Sequence, residues 1–102
     1  MPVCDITVVP SGADDAYAVV DEVIRAIEAS GLRFEVGAMS TAVEGELEEL
    51  FAVTRAAHER AFECGATSVL TTLRLHDSRT VEPTIEDKTT HYLRADRAIP
   101  PS

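Results

Sequence analysis

The sequence predicts an α+β fold, a single four-stranded antiparallel sheet with two helices packed on one face. Three observations predict it. Apolar residues recur with the period of a strand in four short segments and with the period of a helix in two longer ones. The segments come in the order strand, helix, strand, strand, helix, strand. The two middle strands are joined by a short link holding Gly37, which makes them a hairpin, whereas the helices act as crossovers.

The first strand spans Met1 to Pro10. Cys4, Ile6 and Val8 fall on one side of it, and Val3, Asp5, Thr7 and Val9 on the other. Pro10-Ser11-Gly12 ends it. Asp14 and Asp15 supply cap chemistry for a helix over 14–30, whose apolar positions are Ala16, Val20, Val23, Ile24 and Ile27 and whose stop is Gly31. Leu32, Phe34 and Val36 make a short second strand. A third runs from Met39 to Glu44, with Thr41 and Val43 on one side and Ser40, Ala42 and Glu44 on the other. Glu46, Glu48 and Glu49 crowd the start of helix two, where the macrodipole favours them. Leu47, Leu50, Phe51, Thr54, Ala57, His58, Ala61 and Phe62 form its apolar stripe, and Gly65 ends it. Thr67 to Leu75 is the fourth strand. In the polar tail, about 81–102, Thr84 and Asp87 resemble a capping box for a short helix carrying Ile85, Lys88, Tyr92 and Leu93. This order is that of the ferredoxin-like βαββαβ sandwich, read here as one domain over 1–102. Both sides of strands one and four carry apolar residues, so the face opposite the helices needs a cover, either the tail or a second subunit.

Charge narrows the partners. Nine basic against 18 acidic residues give a formal charge of −9. Such a chain is repelled by phosphate backbones and anionic lipid, so neither nucleic acid nor membrane is an expected partner. No apolar run is long enough to span a bilayer, and no signal peptide is visible, so a cytoplasmic location is expected. Cys4 and Cys64 are expected as free thiols.

Absences narrow the chemistry. There is no Cys-x-x-Cys, no Gly-rich phosphate loop and no aromatic cluster on a strand. His58, His76 and His91 are not at metal-ligand spacing, so no metal is expected. Cys4 faces inward without a visible base, and no catalytic residue is assigned. His58 lies on the apolar stripe of helix two, as a packed histidine bonded to backbone or a nearby threonine, or as a ligand or base. Glu44, at a strand end just before a helix, is placed either to bind an amino-heterocycle or cation or to cap helix two. Asp5 and Thr7 point to the open face, as do Thr72 and Arg74, and Asp5 pairs with Arg74.

Several short motifs, taken in order, resemble one family. They are Val8-Val9-Pro10, Met39-Ser40-Thr41 followed by Glu44-Gly45, and Ala57-His58-Glu59 with Phe62 and Gly65. Ser68 to Arg79, with Thr71, Thr72, Asp77 and Arg79, and Lys88 in the tail complete the pattern. Together they resemble the YkoF-like, thiamine-binding-protein family across about Val3 to Lys88. The resemblance implies a ferredoxin-like domain that forms homodimers and often homotetramers. It also implies binding of thiamine or its hydroxymethylpyrimidine part without catalysis, thiamine being a ligand rather than a cofactor. Carried over by position, Thr41 and Glu44 are the first ligand-binding candidates, with Ser40, Thr7, Thr71 and Thr72 lining and His58 matching the motif. Ser40 stands where the family has glycine.

Two other readings compete with a small-molecule binding module. One is an oligomeric interaction or regulatory protein that uses its open sheet face. The other is a small cofactorless enzyme of ferredoxin-like fold, with His58 as the acid–base group.

Overall fold

A computed structural model describes residues 1–80 and residue 85. Its elements are β1 (Val3–Ser11), α1 (Ala16–Ala29), β2 (Arg33–Val36), β3 (Thr41–Glu44), α2 (Leu47–Glu63) and β4 (Ser68–His76). The sheet order is β2-β3-β1-β4, with every neighbouring pair antiparallel. This is the ferredoxin-like arrangement that the periodicity predicts. The tail helix expected through Lys88, Tyr92 and Leu93 lies outside the described residues, Ile85 excepted.

Asp15, rather than Asp14, caps α1 by accepting the Ala18 N–H at 3.1 Å. The buried line of that helix is Val19, Val23 and Ile27, one turn apart. This corrects the expected stripe. Ala16 is exposed, and Val20 and Ile24 are only half-buried. In α2 the buried line is Leu50, Val53, Ala57 and Ala61. Leu47, Phe51 and Phe62 remain exposed, because the apolar arc of the helix is wider than the sheet it covers. Glu46 and Glu49 close the start of α2, the Glu46 N–H donating to Glu49 Oε1 at 2.9 Å. Glu44 therefore does not cap this helix.

The core lies between the helices and one face of the sheet, around Ile6, Val43, Val23, Ile27, Leu50 and Ala57. Cys4 belongs to it. Burial first, and the neighbouring Asp5 charge second, push its thiol up to about 11.

Among the described residues, the opposite face is covered at one end only. Val3 belongs to that face by alternation yet is 2 % exposed. Its cross-strand neighbour Glu44 accepts the Ile85 N–H at 2.6 Å, and Ile85 is also 2 % exposed. Ile85 therefore lies at the Val3 end of this face. At the other end Val9 and Leu70, paired across β1 and β4, are 48 % and 67 % exposed.

Candidate functional site

β3 is shorter than expected. Met39 and Ser40 leave the strand and join a turn closed by the Gly37 N–H donating to the Ser40 carbonyl at 2.8 Å. The pairing of β3 with β1 therefore stops at Ile6↔Thr41, while β1 runs on to Ser11 against β4. A cleft of about 140 Å³ opens where β3 gives out. Ile6, Thr7 and Val8 of β1 form its floor, Val20 and Ile24 of α1 one wall, and the turn from Val36 to Ser40 the other. Val20 and Ile24 are the large aliphatic side chains of α1 that the core does not take up.

Thr41 lines this cleft and is the buried polar residue of the described set, 7 % exposed. Its partner Ile6 places it on the helix side of the sheet. Its hydroxyl has no hydrogen-bond partner among the described residues. No fully enclosed side-chain polar atom there lacks a partner, so this hydroxyl meets the open volume of the cleft. Open to the cleft and without a partner among the described residues, the hydroxyl can both donate to and accept from a ligand.

The candidate residues do not converge on one place. Thr41, Ser40 and Thr7 line the cleft. Thr7 also donates from its hydroxyl to the Met39 carbonyl at 3.2 Å, which ties the turn to β1. Thr72 is the β4 partner of Thr7 and lies beside it on the open face. Thr71 points the other way, where its hydroxyl is 2.7 Å from His58 Nδ1. His58 packs edge-on to Phe62, 5.4 Å between ring centres. That is the packed-histidine arrangement, and neither His58 nor Thr71 lines the cleft.

Glu44 is three residues beyond Thr41, roughly 10 Å along the strand. One carboxylate oxygen holds the Ile85 N–H and the other lies 3.6 Å from Arg33 Nη1. Asp5 and Arg74 form the expected cross-strand pair, with Arg74 Nε donating to Asp5 at 3.0 Å. The alternation of the strands indicates which residues share a face. The sequence carries no local signal that Met39 and Ser40 leave the strand, and so none for the walls contributed by Val36 and Met39.

A second hollow, of about 360 Å³, lies at the far end of the helices between the start of α1 and the end of α2. Two of its carboxylates, Asp15 and Glu22, serve the fold. Asp15 caps α1, and Glu22 takes Arg60 at 2.9 Å and Arg25 at 2.6 Å. The Arg60 hydrogen bond in particular holds the Glu22 carboxyl below its usual range. Among the described residues no group of three or more His, Cys, Asp or Glu is placed to hold a metal ion. No helix among them is long and apolar enough to cross a membrane.

Comparison with known proteins points to one family. The family model described as "Thiamine-binding protein" matches residues 4–93. The chain is 36% identical over 94 residues to the UPF0045 protein YqgV of Bacillus subtilis, covering 86% of this chain and 90% of that one. It is 34% identical over 95 residues to a UPF0045 protein of Clostridium perfringens, covering 90% and 99%. Among solved structures, a domain of unknown function from Bacillus cereus superposes with a TM-score of 0.81 at 38% identity, covering 89% and 88%. A Thermotoga maritima protein, described as a candidate for thiamine biosynthesis or salvage, superposes at 0.75 with 30% identity, covering 89% and 97%.

Proposed function

The chain belongs to the thiamine-binding protein family, and from that premise we propose that the cleft beside Thr41 binds the aminopyrimidine ring of thiamine, or free hydroxymethylpyrimidine, without chemical change. The observation that carries this reading is the hydroxyl of the nearly buried Thr41, which has no partner among the described residues and opens on a cleft with apolar walls. Apolar walls with a few placed polar groups are what a heteroaromatic ligand needs. At about 140 Å³ the cleft is smaller than the roughly 300–1,000 Å³ typical of sites for drug-sized ligands. It suits one ring, with the cationic thiazolium of thiamine left at the mouth, where the charge of −9 favours it.

Binding without catalysis is supported by where the acid–base groups stand. His58 is tied to Thr71, Asp5 to Arg74 and Glu44 to Ile85, and none of the three lines the cleft.

Self-association, as a homodimer or homotetramer, and residence in the cytoplasm are part of the same proposal. β4 is a nine-residue edge strand without a single acidic residue in an acidic chain. Long, weakly charged edges and exposed apolar pairs such as Val9 and Leu70 favour a covering partner. That same pair supports the second reading, in which another protein docks on the open face. The free cysteines Cys4 and Cys64 fit a reducing compartment.

Calorimetry on dialysed protein tests the ligand. Thiamine and hydroxymethylpyrimidine are expected to release or absorb heat and to raise the melting temperature. No heat and no thermal shift at millimolar ligand would overturn the reading. Ultracentrifugation tests the assembly, and lone subunits at all concentrations would remove that part.

A further inference from the structure

Among the described residues, no ionisable side chain lines the cleft. Val20, Val23 and Ile24 lie on one face of α1, and Ile6, Val8 and Thr41 share the helix side of the sheet, so their side chains meet the cleft from two sides. The charged groups of the surrounding elements are turned elsewhere. On α1, Asp21, Arg25 and Glu28 are exposed, and Glu22 is held by Arg60 and Arg25. On β1, Cys4 is in the core and Asp5 pairs with Arg74 on the open face. Glu35 of β2 is exposed, and Glu44, at the far end of β3, lies near Arg33. His58, on α2, is bonded to Thr71.

An aminopyrimidine is a weak base that takes up a proton on a ring nitrogen in mildly acid water. Thr41 is indifferent to that proton, since its hydroxyl donates to the bare nitrogen or accepts from the protonated one. The aliphatic walls are not indifferent. Between them a cationic ring loses its hydration and meets no anion. The charge of −9 draws cations toward the molecule, but exposed carboxylates act through water and are screened beyond about 8–10 Å. Resting on the reading of the cleft as a pyrimidine site, we propose that the cleft takes the ring in its neutral form and rejects the protonated one, with Val20 and Ile24 setting that preference. The permanent charge of thiamine sits on its other ring, at the mouth, and is not subject to it.

The experiment is a set of titrations from about pH 8 down to about pH 5, the span in which folded proteins generally keep their stability. The ligands are hydroxymethylpyrimidine and its ring-fluorinated analogue, which is less basic. The ultraviolet spectrum of each free ligand gives its own protonation midpoint, and a melting curve at each pH shows the protein folded. Affinity for hydroxymethylpyrimidine is expected to hold level above that midpoint and to fall by about tenfold per pH unit below it. The fluorinated ligand is expected to keep its affinity through the same fall. Ile24→Glu, which sets a carboxylate on the wall, is expected to flatten the fall. If that variant does not fold, the two ligands decide alone. An affinity that stays level or rises toward acid overturns the proposal and leaves the cleft as a pyrimidine site. So does a fall at one pH for both ligands, which would be the titration of a protein group. A folded Ile24→Glu protein with the wild-type fall removes Ile24 from the preference. A wild type that binds neither ligand at any pH overturns this proposal and the pyrimidine site together.

Discussion

At one end of β3, Thr41 is nearly buried and its hydroxyl has no partner among the described residues; at the other, Glu44 has both carboxylate oxygens near donors of its own chain. Both residues fall in the same short motif. The Thr41 end borders a cleft because the turn through Met39 and Ser40 breaks the strand. The Glu44 end is closed because Ile85 is bonded to it. The difference is one of hydrogen-bonding capacity still open. A carboxylate that closes the fold has little left for a ligand, whereas a threonine whose hydroxyl has no partner among the described residues keeps both its donor and its acceptor roles. A motif match alone does not make that distinction.

The largest expected effect tests how well the stretch between the two ends is sealed. Cys4 pairs with Val43, between Thr41 and Glu44. Its thiol is raised from 9.0 to about 11, chiefly by burial. A raised value means the folded state holds the proton more tightly than the unfolded chain does. The associated stability is therefore complete below pH 9 and is lost as pH climbs toward 11, by at most about 2–3 kcal/mol at about 1.4 kcal/mol per unit. Urea denaturation at pH 8, 10 and 11 should show this slope in wild type and not in Cys4→Ala. An equal slope in both would mean that water reaches Cys4 and that the middle of β3 is not closed.

Next in size is Glu44→Ala. It leaves the Ile85 N–H without its acceptor and removes the carboxylate near Arg33. The expected cost is about 2 kcal/mol in urea denaturation, with Glu44→Gln recovering part of it through its amide oxygen. Affinity for hydroxymethylpyrimidine should stay within about twofold of wild type, since roughly 10 Å of strand separates Glu44 from the cleft. A Glu44→Ala protein of full stability but lost affinity would reverse the roles assigned to the two ends.

Much of this contrast is legible in the sequence alone. Strand alternation places Thr41 with Val43, Asp5 with Thr7, and Cys4 inward, because a period of two leaves little freedom. The element order follows from glycine stops and two helical stripes. Other features are not legible, for two physical reasons. Met39 and Ser40 suit a strand locally and leave it only because Gly37 closes on Ser40 and Thr7 on Met39. Glu44 meets Ile85 across 41 positions, and His58 meets Thr71 across 13, at distances that no local pattern reports. Helical periodicity alone makes the apolar stripe of α1 wholly core. Val20 and Ile24, half-buried on the cleft wall, show that an arc wider than its core can mark a site.

The smallest effect, Thr41→Val, separates the two ends most sharply because its two readouts move independently. Valine keeps the shape of threonine and removes the hydroxyl. No partner among the described residues is lost and the hydroxyl is open to the cleft, so the substitution should change stability by less than about 1 kcal/mol. Hydroxymethylpyrimidine affinity should fall by about 1 kcal/mol, roughly fivefold, the net worth of one neutral hydrogen bond. Thr41→Ser should keep most of the affinity and lose some stability through its missing methyl. Glu44 substitutions are expected to give the opposite signature, with stability lost and affinity kept. If Thr41→Val instead destabilises the protein by more than about 1 kcal/mol with affinity unchanged, the Thr41 hydroxyl serves the fold as Glu44 does, and the cleft loses the group that marks it as a site.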